Sequence, residues 1–151
     1  MPRLLVVHHS PTRRTRAMLD AVVGGATDDT ITGVDVVVRE ALAAGPDDAL
    51  AADAYLLGTT ANIGYMSGAL KHFFDLSYNA CLDVTARRPY GLWVHGNNDT
   101  TGAVASVRKV TTGMAWREAF EPVSVLNEPS EEDLGRCYEL GGTLAALLFA
   151  G

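Results

Sequence analysis

No apolar stretch of this sequence approaches the roughly 20 residues that a membrane-spanning helix requires, so no span is expected. Cysteine is scarce: Cys81 and Cys137 are the only two, far apart and without CxxC spacing. That excludes a disulfide framework and fits buried thiols in a reducing compartment. Positive charge is in deficit. The formal net charge is −6, which argues against nucleic acid as a partner, because such binders present a basic face. Several catalytic signatures are missing too. Without GxxxxGK[ST] the chain is no ordinary P-loop NTPase, and without GxGxxG it lacks the usual dinucleotide fingerprint. Without GxSxG, and with no acid–histidine pair placed for it, Ser10 has no hydrolase context. No histidine or cysteine cluster has the ligand count of a metal site. A secretory leader is not evident, because an apolar strand begins almost at once. The cytoplasm is therefore the expected location.

What remains is the composition of an ordinary globular protein. The 151 residues are 48% hydrophobic and 20% charged, which suits one domain spanning residues 1–151. Five apolar runs read as strands, at residues 4–8, 34–38, 54–58, 90–95 and 120–125. Helical patterns separate them at 15–23, 47–52, 66–79, 102–116 and 130–149. The third is the strongest, with Met66, Leu70, Phe73, Phe74 and Ser77 at helical spacing. Ser130 and Asp133 form a capping arrangement at the start of the last. Residues 24–33 read as a polar loop. Strands alternating with helices imply right-handed crossovers and an α/β fold, with a parallel sheet covered on both faces.

In such a sheet, ligands bind beyond the carboxyl ends of the strands. Three segments fall there. The first, His9–Thr15, carries Ser10, Thr12 and Thr15 hydroxyls and the pair Arg13 and Arg14, just where a helix begins. Free N–H groups and the positive end of the helix dipole suit a phosphate monoester. Read plainly, it is a Ser/Thr N-cap with solvated arginines. The second, residues 58–68, follows the third strand. Its glycines allow backbone to approach a flat ligand, with Ile63 or Tyr65 against the ring face. Read plainly, it is a long βα connection. The third, residues 95–102, is dense in Asn, Asp and Gly. It either walls the same ligand or is simply a turn. His72, beside Lys71, belongs on the surface, and Trp93 and Trp116 belong to packing.

Taken together, these segments resemble the flavodoxin-like family, and within it the NAD(P)H-dependent FMN reductase and quinone reductase branch. Residues 58–75 are most similar, with Ile63-Gly64-Tyr65-Met66-Ser67-Gly68 before Leu70-Lys71 and Phe73-Phe74-Asp75. The resemblance implies a three-layer sandwich on a five-stranded parallel sheet of order 2-1-3-4-5. It implies FMN as cofactor. Ser10, Thr12, Arg13, Arg14 and Thr15 would hold the phosphate. Thr59, Thr60, Ala61, Asn62, Ile63 and Gly64 would line the isoalloxazine. His95, Gly96, Asn97 and Asn98, with Thr101 and Gly102 after them, would close the far side. The implied partners are NAD(P)H and either a small-molecule electron acceptor, quinone-like or flavin, or a redox protein, and homo-oligomers are common in the family. No single catalytic acid or base is expected, because the cofactor supplies the chemistry. The third segment has no aromatic residue to cover the ring, which favours an enzyme whose hydride donor must stack there. The alternatives are a non-enzymatic flavodoxin-type electron carrier, which the acidic charge suits, and a domain that keeps the fold without FMN. Arg87, Arg88 and Arg108 are candidates to meet an NADP phosphate.

Overall fold

Alternation inside continuous apolar runs builds the sheet. In β1 (Arg3–His8), Leu5 and Val7 enter one core while Leu4 and Val6 enter the other. The edge strand β2 (Asp35–Glu40) is only partly buried and ends exposed. In β3 (Ala54–Asn62), Tyr55 and Leu57 face the first core, and Ala54 and Leu56 the second. A strand covered on both faces cannot afford polar positions on either, so it reads as an unbroken apolar stretch. The computed structural model describes residues 1–150.

After β3 the chain turns back through a two-residue strand, β4 (Tyr65–Met66), antiparallel to the end of β3. The interior strand β5 (Pro89–Gly96) follows, then two short strands on its outer side, β6 (Arg117–Glu118) and β7 (Val123–Leu126). Parallel pairing runs β2-β1-β3-β5, and β5 pairs first with β6 and then, further along, with β7. Counting β1, β2, β3, β5 and β7 as the principal strands, the order is the expected 2-1-3-4-5. The outer strand is made in two pieces. The sequence run at 120–125 therefore overshoots at its start: Phe120 packs against the second core from the connection before β7.

Helices α1 (Arg13–Ala26) and α5 (Glu131–Ala150) cover one face. The other is covered by the short α2 (Pro46–Ala51), α3 (Gly68–Cys81) and α4 (Thr101–Gly113). The result is a three-layer sandwich. The two cores differ in kind. Under α3 and α4 lies an aromatic cluster, in which Trp116 stacks on Tyr55 with centroids 3.8 Å apart and its Nε1–H donates to Thr85. Between α1 and α5 the backbones themselves touch. A Cβ on Gly25 would lie 1.9 Å from the Tyr138 carbonyl oxygen, and one on Gly141 would lie 1.9 Å from that of Val22. That approach explains why α1 runs on through Gly24 and Gly25, where the sequence suggests a loop. Packing against α5 outweighs the poor helix propensity of glycine.

The start of α3 shifts as well. The helix expected from residue 66 begins at Gly68, because Ser67 caps it by accepting from the Leu70 N–H and because Tyr65 and Met66 are taken by β4. The last helix starts as expected, with Ser130 and Asp133 exchanging side-chain and backbone hydrogen bonds.

Candidate functional site

Parallel strands bring their carboxyl ends to one edge. Strand order reverses about β1, whose neighbours are β2 and β3, so a crevice opens between the segments that follow β1 and β3. A cavity of about 540 Å³ lies there, lined by His9, residues 11–15, residues 60–62 and residues 95–97. Its size is that of a site for a drug-sized ligand. All three segments singled out in the sequence contribute to it.

The first segment is organised by a capping box. Thr12 N–H donates to Thr15 Oγ1 at 2.9 Å, and Thr15 N–H donates to Thr12 Oγ1 at 3.2 Å. Thr15 is buried, and its hydroxyl donates to the Thr12 carbonyl, leaving the Thr12 hydroxyl hydrogen for Thr15 Oγ1 or a ligand. The first N–H groups of a helix have no intrahelical acceptor. Those of Arg13 and Arg14 meet no acceptor among the described residues, whereas Thr15 and Arg16 are satisfied by Thr12. The guanidinium groups of the arginine pair share one carboxylate. Arg13 Nη1 and Nη2 donate to Glu128 Oε1 and Oε2, both at 3.0 Å, and Arg14 Nε donates to Oε2 at 3.0 Å. The hydrogen bonds from Arg13 hold the Glu128 carboxyl below the ordinary carboxylate range. Ser10 faces elsewhere. Its Oγ lies 2.9 Å from His8 Nδ1, beside a smaller depression that includes Arg16 and Glu40. Burial keeps the His8 ring below its usual pKa.

The second segment is a β-hairpin and not a loop. Asn62 pairs with Tyr65, and Ile63 and Gly64 make the turn with φ of 50° and 73°. Positive φ at both central residues is what a type I′ turn requires, normally met by Asn-Gly. Thr60 and Ala61 line the cavity with Asn62, whose Oδ1 accepts from the Thr60 hydroxyl. Thr59 is buried, accepting from the Ser67 N–H and donating to the Thr60 carbonyl, so its hydroxyl is committed to the fold. Ile63 and Gly64 lie outside the cavity lining, with Ile63 fully in solvent. The hairpin is seated on α4: a Cβ on Gly102 would lie 2.1 Å from the Gly64 carbonyl oxygen, and Met66 N–H donates to Ser106.

From the third segment, His95, Gly96 and Asn97 reach the cavity and Asn98 does not. His95 is 7% exposed, and its Nε2–H donates to the Asn127 carbonyl at 2.7 Å. That bond places the ring proton on Nε2 and leaves Nδ1 bare in the neutral imidazole. Asn127 N–H in turn donates to Gly96. Asp99 accepts from both the N–H and the hydroxyl of Thr101, which hold its carboxyl below the usual range. The three distant arginines do not line the cavity. Arg87 and Arg88 precede β5, at the opposite end of the sheet, and Arg108 forks onto Glu118.

Sequence reasoning passed over His9 and Pro11 as lining residues, although both lie inside the first segment. It passed over Asn127 and Glu128 altogether. They sit in the β7–α5 connection, and nothing in their local sequence points to a site.

No protein-family model matches the sequence, and no curated protein matches it either. Solved structures do. A flavodoxin from the domain Archaea superposes with a TM-score of 0.78 at 20% identity, over 97% of this chain and 98% of that one. A flavodoxin of Streptococcus pneumonia TIGR4 gives 0.77 at 24% identity, over 96% and 99%. A flavodoxin, WrbA-like protein from Agrobacterium tumefaciens gives 0.76 at 18%, over 97% of each chain. The class is therefore the doubly wound α/β sandwich, and within it this chain has the flavodoxin-like fold.

Proposed function

We propose that this protein binds FMN in the cavity at the β1–β3 crevice, and that it is an oxidoreductase taking electrons from NAD(P)H to a quinone-like or flavin acceptor. The observation that carries the reading is the convergence of all three segments on one cavity whose floor is a helix N-terminus with two unengaged N–H groups. That donor set fits a phosphate monoester. The N–H groups of Arg13 and Arg14, with the Thr12 hydroxyl, would hold the phosphate. Residues 60–62 and 95–97 would present backbone and amide groups to a flat heteroaromatic ring. FMN, when bound, supplies hydride and electron transfer, and the protein's part is to orient it and set its surroundings.

No Phe, Tyr or Trp is among the lining residues, so one ring face stays open to a nicotinamide. That opening supports the enzyme over a carrier. Assembly into homo-oligomers belongs to the same reading, as does a cytoplasmic setting, which the two buried free thiols suit. Among the described residues no helix is long and apolar enough to cross a membrane. The net charge of −6 favours the second reading, an electron carrier docking on basic redox proteins.

Fluorescence titration tests the binding. FMN emission falls on adding the protein, and Thr12→Ala weakens binding by about 1–3 kcal/mol, the range for a charge-assisted hydrogen bond. The loaded protein then loses its visible absorbance on adding NADPH or NADH alone. No quenching at high micromolar FMN refutes the cofactor. Bleaching that needs a separate reductase replaces the enzyme with the carrier.

A further inference from the structure

The first turn of α1 is charged the wrong way for a helix. Acidic residues favour this position because of the helix dipole, and arginines oppose it. Here no acidic residue is present in the first turn, and Arg13, Arg14 and Arg16 stand in or beside it. The missing anion is delivered from another element. Glu128, in the connection before α5, places both its oxygens on the arginine pair. The backbone of its neighbour Asn127 is held to the end of β5 by His95 and Gly96. The carboxylate is therefore paired with the side chains of two arginines that line the cavity.

This contact is built to be exchanged. The side chains of Arg13, Arg14 and Glu128 are 76%, 40% and 54% exposed. Ion pairs this open to water are weak. A phosphate dianion offers a second charge and a third oxygen to the same two guanidinium forks. It also repels a carboxylate held by the same pair, which favours release of Glu128. A monoanion offers no more than Glu128 already gives.

We infer that Glu128 is a specificity-determining residue that acts as an intrachain competitor at the phosphate end of the cavity, holding Arg13 and Arg14 until a phosphate dianion displaces it. The inference rests on the flavin reading above and names the charge that the site selects. Removing the competitor frees both arginines for the ligand, while a flavin without phosphate gains nothing.

The test compares FMN with riboflavin on the wild-type protein, Glu128→Gln, Arg13→Gln and the double variant, all by flavin fluorescence. The Glu128 side chain is exposed, so the fold is retained, which circular dichroism and melting check. Glu128→Gln tightens FMN by about tenfold, the size of one unit charge acting on a dianion at this solvent-exposed range. Riboflavin affinity stays unchanged, and the FMN gain shrinks when Arg13→Gln is already present. Unchanged or weakened FMN binding in a folded Glu128→Gln protein overturns the inference and leaves the flavin reading standing. Equal tightening of riboflavin also overturns it, since the effect would not pass through the phosphate. Absence of FMN binding in both the wild type and Glu128→Gln overturns the inference and the flavin reading together.

Discussion

At the amino end of the sheet, Arg88 is partly buried, and one nitrogen, Nη1, donates to the carbonyl oxygens of Leu50 and Ala52 at 3.0 and 2.6 Å and reaches the Tyr55 hydroxyl at 3.4 Å. At the carboxyl end, Arg13 and Arg14 hold one exposed side-chain carboxylate. Both ends engage their guanidinium groups, with partners of different standing. Backbone carbonyls next to β3 cannot leave without the strand moving. A glutamate on a connection can rotate away. The first arrangement ties elements together, and the second leaves charge within reach of a ligand. Residue type alone does not tell these two arrangements apart, whereas the nature of the arginine's partner does.

The sharpest way to break this contrast is Arg88→Met. It removes charged donors from two backbone carbonyls and should cost about 3 kcal/mol in urea unfolding, while flavin affinity of the folded variant stays at the wild-type level. Loss of affinity without loss of stability would mean that the amino end is coupled to the site. The next test asks whether the carboxyl end has a fixed point of its own. Gly102→Ala drives a Cβ into the Gly64 carbonyl, so the hairpin must move off α4. Stability should fall by about 2 kcal/mol on thermal melting, and FMN affinity should fall with it. A variant that melts like the wild type would show that the hairpin is free to shift.

The smallest effect belongs to the α1–β2 connection. Hydrogen bonds from Thr30 and then Tyr138 lower the Asp28 carboxyl from its ordinary 3.8 to about 2. A depressed carboxyl adds stability above its unfolded pKa and loses it as pH falls through the folded value. Tyr138→Phe should therefore be slightly less stable than the wild type at neutral pH. The gap should narrow as pH drops from about 3.8 toward 2 in acid unfolding curves. A gap constant across that window would assign the loss to packing.

The sheet was legible in the sequence because β1, β3 and β5 each contain an apolar run buried on both faces. The strand order came with the family resemblance, and pairing about β1 agrees with it. The site was legible as three segments but not residue by residue. Thr59 has the composition of a ligand contact, yet its hydroxyl is spent on Ser67 and Thr60. The hairpin at 62–65 was hidden because isoleucine occupies the turn position where asparagine would have announced it. Gly25 looked like a loop residue because the reason for it is the backbone of α5, more than a hundred positions away. Glu128 gave no local signal at all, since its meaning arises only when the fold carries it to residues 13 and 14.

Ile63 has a consequence for anyone who would improve this protein. A β-branched side chain in the left-handed region costs on the order of 1–3 kcal/mol, and this one recovers nothing by burial, since it stands wholly in water. A search for heat resistance will find this position early and replace it with asparagine or glycine. The protein that results will be sturdier and will have surrendered the one bulky apolar side chain at the tip of the hairpin beside its cavity. Stability at this turn is thus open to gain by a change that disturbs no packed contact.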